Sequence, residues 1–147
     1  MNKNLVAFTI NKLDQAEEII LKTRIYKIKP ILHFKYYMLN GFGPEYILTL
    51  QKILISKFGK PNFKLFIDCG FDSSLCIKMA TKKIEFIKLR GNSLILKKIK
   101  DIANKNRVLL NPSFNIVDCR NRKNISLKLK KLYSKEEKWK LTGIRLK

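Results

Sequence analysis

Phe66-Ile67-Asp68-Cys69-Gly70 is the stretch of this chain best suited to chemistry. An apolar run ends there on an acid, a thiol and a glycine. The C-terminal ends of buried parallel strands are where α/β folds keep their reactive groups. Asp68 suits acid/base work on a bound substrate, or else it caps the turn that follows the strand. Cys69 is a nucleophile if a cation or a helix N-terminus lowers its pKa, and an inert small hydrophobe if it is buried. Lys35 and Arg90 close two other apolar runs. Together with the backbone N–H groups after Gly70 and Gly91 they form a candidate anion site, because helix N-termini at strand ends favour phosphate or carboxylate. The competing reading is two solvated cations at a loop rim. His33, the single histidine, lies inside an apolar run and reads as structural. Cys76 falls on the apolar face of a helix and reads as core.

The elements that would hold these groups alternate along the chain. Leu5 to Ile10 reads as a first strand, and Asn11 as the cap of a helix from Leu13 to Tyr26. Pro30 opens a second strand, Ile31 to Phe34. Gly41-Phe42-Gly43-Pro44 reads as a turn, with Pro44 as the first residue of a helix that ends at Phe58 before Gly59 and Pro61. A third strand spans Phe63 to Ile67. Asp72 or Ser73 caps the next helix, which carries Leu75, Cys76, Met79 and Ala80. The fourth strand, Ile84 to Leu89, stops at Arg90-Gly91, and Asn92 or Ser93 caps a helix through Ile102. Val108 to Leu110 is a fifth strand and Phe114 to Val117 a weaker sixth. A basic segment follows from Asn121, with a helix around Ile125 to Tyr133. Near-continuous apolar strands between amphipathic helices predict an α/β fold with a parallel sheet and right-handed crossovers.

With 147 residues and 46% hydrophobic composition, the chain is expected to form a single globular domain. No apolar run approaches a membrane-spanning length, and the N-terminus reads as a strand and not a signal peptide. Three cysteines without paired spacing suggest reduced thiols and a cytoplasmic setting. The formal charge is +21, from 32 Lys+Arg against 11 Asp+Glu. Such an excess suits phosphate-rich partners. It also fits codon bias, since the cations are mostly Lys and the chain is rich in Ile, Asn and Phe. The segment Arg120 to Lys123 and Lys128 to Lys140, with Tyr133 and Trp139, mixes cations and aromatics as single-strand binders do, but it carries no RNA-binding motif. A solvated terminal helix explains it as well.

The order and spacing of several motifs resemble the N-terminal half of class II fructose-bisphosphate aldolases, zinc-dependent (β/α)8 barrels. Ala7-Phe8-Thr9-Ile10-Asn11 followed by Leu13-Asp14-Gln15-Ala16 is similar to the family's first strand and helix start. Gly43, Glu45, Tyr46 and Leu48 resemble its segment after strand two. Ile67-Asp68-Cys69-Gly70 falls on Leu-Asp-His-Gly, Leu75-Cys76 on the Leu-Cys of the next helix, and Ile87 to Gly91 on the fourth strand end. The resemblance spans roughly residues 5 to 107. It implies half of a TIM barrel, with Asp68 as the acid/base residue.

The same resemblance implies lost zinc chemistry. Cys69 replaces the family's ligand histidine, and the barrel's second half would supply the others. Lys35 stands for a serine and Arg90 for an aspartate of the substrate site. The expectation is therefore a degenerate, aldolase-like pseudoenzyme with no metal or other cofactor, keeping an anion or phospho-metabolite pocket. Residues 1–120 form the half-barrel and 121–147 a basic helical tail. The alternatives are a metal-free acid/base enzyme using Asp68, with or without Cys69, and a basic nucleic-acid- or ribosome-associated protein. An open half-barrel should need a cover over inner-face residues such as Leu65, Ile67 and Ile87. The cover would be the segment after Val108 or a second copy, so a homo-oligomer or a partner subunit is expected.

Overall fold

The computed structural model describes residues 5–121 and 124–142, from residue 134 onward by backbone alone. Six strands form one parallel sheet: β1 (Val6–Thr9), β2 (Ile31–Phe34), β3 (Lys64–Asp68), β4 (Phe86–Lys88), β5 (Leu109–Leu110) and β6 (Asn115–Asp118). Their spatial order is β5-β4-β3-β2-β1-β6. The helices are α1 (Leu13–Thr23), α2 (Tyr36–Phe42), α3 (Pro44–Phe58), α4 (Ser73–Thr81), α5 (Ser93–Lys105) and α6 (Ile125–Thr142). This is the α/β architecture expected, a partial TIM-barrel-like sheet that does not close: β5 and β6 are its two edges. Among the described residues no helix is long and apolar enough to cross a membrane.

Local chemistry sets most of the boundaries. The Asp72 side chain accepts from the Leu75 N–H at 3.0 Å, and the Asn92 side chain from the Ile95 N–H at 2.9 Å, so α4 and α5 start where acceptors are available. Pro44 opens α3, and Gly59, at φ +86°, closes it. At α1 the cap differs from expectation. Lys12 is the cap residue, and the Gln15 side chain turns back to accept from the N–H groups of Asn11 and Lys12 at 2.7 and 3.0 Å. Helix α2 occupies part of the predicted turn. Its Met38 and Leu39 are buried, and that burial outweighs the poor helix propensity of Gly41.

The sheet has two apolar faces of different kinds. Phe8, Ile10, Leu32, Phe34, Leu65, Ile67, Ile87 and Leu89 belong to the large core beneath the helices. Ala7, Ile31 and Phe66 form a second, smaller cluster with Phe86 and Phe114 on the other face. The expectation that Leu65, Ile67 and Ile87 line the inner face is thus corrected by one residue of phase, which moves every side chain across the sheet. The inner face is covered by the connection from β5 to β6. Phe114 lies edge-on to Phe66 and Phe86, with ring centroids 5.4 and 4.9 Å apart. Helix α6 belongs to the outer layer instead. Its Ile125, Leu129 and Tyr133 join the large core, and the Tyr133 ring sits 5.3 Å from that of Tyr26 beside α1.

Candidate functional site

The inner-face residues open upward into a cavity of about 720 Å³ at the C-terminal ends of the strands. Lys35, Asp68 and Arg90 all line it. So do His33 and Lys88, which the sequence reading had not placed in a site. A smaller cavity of about 460 Å³ adjoins it and shares Tyr36, Asp68 and Arg90.

Asp68 is the last residue of β3 and is half-buried. Its Oδ1 accepts from the Gly70 N–H at 2.9 Å. Both readings of this acid therefore describe it: one oxygen closes the turn while the residue lines the cavity. Gly70 is held at φ +58°, a conformation costly for any residue with a Cβ. The Tyr36 ring also packs on it so closely that an added Cβ would stand 3.0 Å from the ring. The Gly70 carbonyl accepts from the Arg90 N–H at 2.7 Å, which joins the ends of β3 and β4.

Among the described residues the cations of the cavity form no ion pair. The ion pairs among the described residues are Lys22–Glu18, Lys57–Glu17, Lys78–Glu45 and Arg120–Asp118. Lys35, Lys88, Arg90 and Asp68 take part in none of them. Counted formally at pH 7, three cations and one carboxylate leave the cavity with a charge of +2. Asp118 and Arg120 neutralise each other close by. Arg120 Nε and Nη2 donate to the two Asp118 oxygens at 2.9 and 2.7 Å. This fork holds the Asp118 carboxyl well below the usual carboxylate range and raises the Arg120 guanidinium. Arg120 is fixed further by Gln15, whose Nε2 donates to its carbonyl at 2.7 Å.

His33 is 6% exposed and bonded through Nδ1 to the Thr9 hydroxyl at 2.8 Å. Its ring lies 4.8 Å from that of Phe66. Burial lowers its pKa to about 4; Asp68 opposes the shift, while Lys35, Lys88 and Arg120 add to it. The ring is therefore neutral at pH 7, a structural histidine whose edge forms part of the cavity wall.

Other sequence-predicted residues lie elsewhere. Cys69 is fully buried on the helix-covered face, and its thiol is hydrogen-bonded with that of Cys76. That bond and the burial push its pKa up, the opposite of what a thiolate nucleophile needs. Neither cysteine reaches the cavity. Gly91 lines neither cavity, and the Gly70 N–H is already committed to Asp68. The charged groups that line the cavities are thus side chains rather than free backbone amides. Arg122, Lys123 and the side chains of Trp139 and Lys140 lie outside the described residues.

Lys88 was legible in principle, since it precedes Arg90 by two residues and β4 alternates faces. Asn111 was not. It stands at φ +52° after β5, and its side chain both accepts from the Leu89 N–H at 2.8 Å and donates to the Leu89 carbonyl at 3.1 Å. This clamp fixes the end of β4 from a residue far along the chain.

The donor set does not fit a catalytic zinc. Such a site takes three protein ligands. Cys69 faces the helix-covered side of the sheet, away from the cavity. Among the described residues no three His, Cys, Asp or Glu side chains converge.

No protein family profile matches the sequence, and no curated protein matches it. Among solved structures, the chain is similar to a proposed fructose-1,6-bisphosphate aldolase from Coccidioides immitis. The TM-score is 0.57 at 11% sequence identity, over 72% of this chain. The chain spans 39% of that protein's length. The likeness is one of fold.

Proposed function

We propose that this protein is an aldolase-like half-barrel that binds a small phosphorylated metabolite at its strand ends and performs no zinc-dependent lyase reaction. The observation that supports the reading most is the charge of the cavity. Lys35, Lys88 and Arg90 line it and form no ion pair among the described residues, and Asp68 is the one carboxylate in the lining of this larger cavity. A surplus of +2 matches the dianion of a phosphate monoester, and clustered cations without counterions repel one another until such a ligand arrives. Lysine and arginine are the usual side-chain partners of phosphate. Asp68, in the lining of the same cavity, would accept a hydrogen bond from a hydroxyl of that ligand.

Isothermal titration with glycerol 3-phosphate as the probe tests this. Binding should weaken by about tenfold or more on replacing Lys88 or Arg90 by Ala, since a charge-assisted hydrogen bond contributes roughly 1.5–3 kcal/mol. Raising the salt should weaken it further. Absence of binding at millimolar probe, or equal binding by a Lys35/Lys88/Arg90 triple alanine variant, would overturn the reading.

A further inference from the structure

The smaller cavity indicates what the phosphate is attached to, and this inference rests on the phosphate reading above. Phe71 lines that cavity together with Tyr36, Asp68, Gly70, Asp72 and Arg90. It is also 75% exposed, the most exposed of the large apolar side chains among the described residues. A single exposed apolar residue is ordinary. This one stands on a backbone that is fixed on both sides at a cavity wall. The residue before it is fixed at φ +58° with its N–H on Asp68. The residue after it, Asp72, donates its own N–H to the Cys69 carbonyl at 3.0 Å and caps α4 through its side chain. The backbone that carries the Phe71 ring at the cavity wall is therefore set before any ligand arrives, and such preorganisation lowers the cost of binding.

Arg90 belongs to both cavities. A guanidinium can meet a phosphate with its edge and a planar ring with its face. The carboxylates of Asp68 and Asp72 in the same wall add hydrogen-bond acceptors beside the aromatic ring. A planar ring carrying amino groups suits this combination. Both volumes lie within the range of small-ligand sites, and the shared residues make the two cavities one bipartite site.

The geometry points to a nucleoside monophosphate as the ligand class, with its phosphate among Lys35, Lys88 and Arg90 and its base stacked on Phe71. The probes are AMP, ribose 5-phosphate and adenosine, titrated into the full-length chain. Stacking of a base on an aromatic side chain predicts AMP binding about 5- to 100-fold tighter than ribose 5-phosphate. Phe71→Ala should remove that advantage and leave ribose 5-phosphate unchanged within about twofold, since the phosphate contacts stay intact. Phe71→Trp should keep it. Because Phe71 is exposed, the thermal melting of both variants serves as a check that the fold is intact. Equal affinity of the native protein for AMP and ribose 5-phosphate would overturn the inference while the phosphate reading stands. So would a Phe71→Ala variant that weakens both alike. Adenosine binding as well as AMP would overturn it through its phosphate half.

Discussion

The two faces of β3 divide the molecule's work. Leu65, Ile67 and Cys69 point into the helix-covered core and are fully buried. Phe66 and Asp68, their neighbours in sequence, look the other way, onto the Phe114 cover and into the charged cavity. The helix-covered face is large and apolar, and its burial carries the stability. The inner face is narrower, and it collects a neutral histidine, an acid and uncompensated cations. A substitution of one residue should therefore act either on folding or on binding, according to its parity along the strand.

The largest expected effect lies on the helix-covered face. Ile67→Ala should cost about 2–5 kcal/mol, the range for deleting a buried aliphatic side chain. Chemical denaturation measures it. Phosphate binding by the folded fraction should persist, and a loss of binding larger than the loss of folded protein would break the division of faces.

The next effect sharpens the comparison from the inner face, where one buried group does affect stability. His33 titrates near 4 in the folded chain, below its ordinary value of 6.5. Between these values the unfolded chain binds the extra proton, so stability is complete above about pH 6.5 and falls as the pH drops towards 4. The full loss is about 3 kcal/mol for a shift of this size. His33→Gln removes this component, so its stability should fall less over that window than that of the native protein. Parallel curves for the two proteins would mean that the histidine does not feel its burial.

The smallest stability effect should come with a large binding effect. Lys88→Met keeps the stem and removes a charge that repels Lys35 and Arg90. Its unfolding free energy should move by no more than about 1 kcal/mol, while glycerol 3-phosphate affinity falls tenfold or more. A destabilised variant with unchanged affinity would show that Lys88 holds the sheet together instead of facing a ligand.

Asp68 was legible at its strand end because an apolar run broken by acid, thiol and glycine marks the exit from a buried strand. Lys35 and Arg90 were legible by the same kind of signal, and the structure brings all three to one cavity. Cys69 reads from sequence either as a nucleophile or as an inert buried residue, because residue type says nothing about which face a residue takes. In a parallel strand both faces are apolar, so Leu65 and Phe66 look equally fit for either side. Helix α2 was hidden by Gly41, whose weak propensity is overridden by the burial of Met38 and Leu39.

Local sequence records the succession of strands and helices apart from α2, narrows the caps of α4 and α5 to Asp72 or Ser73 and Asn92 or Ser93, and marks the break at Gly59 and the place of Asp68 at a strand end. These depend on contacts within a few residues, and local periodicity and turn chemistry record them. Only the tertiary structure decided the face of each strand, the pairing of β6 with β1 across the sheet, the Asn111 clamp on Leu89 and the crossing of Phe114 over the inner face. Each of these joins residues distant in the chain. They form because the apolar inner face must be covered and the backbone groups at strand ends must find partners, and the sequence near each residue does not name the distant segment that meets those needs.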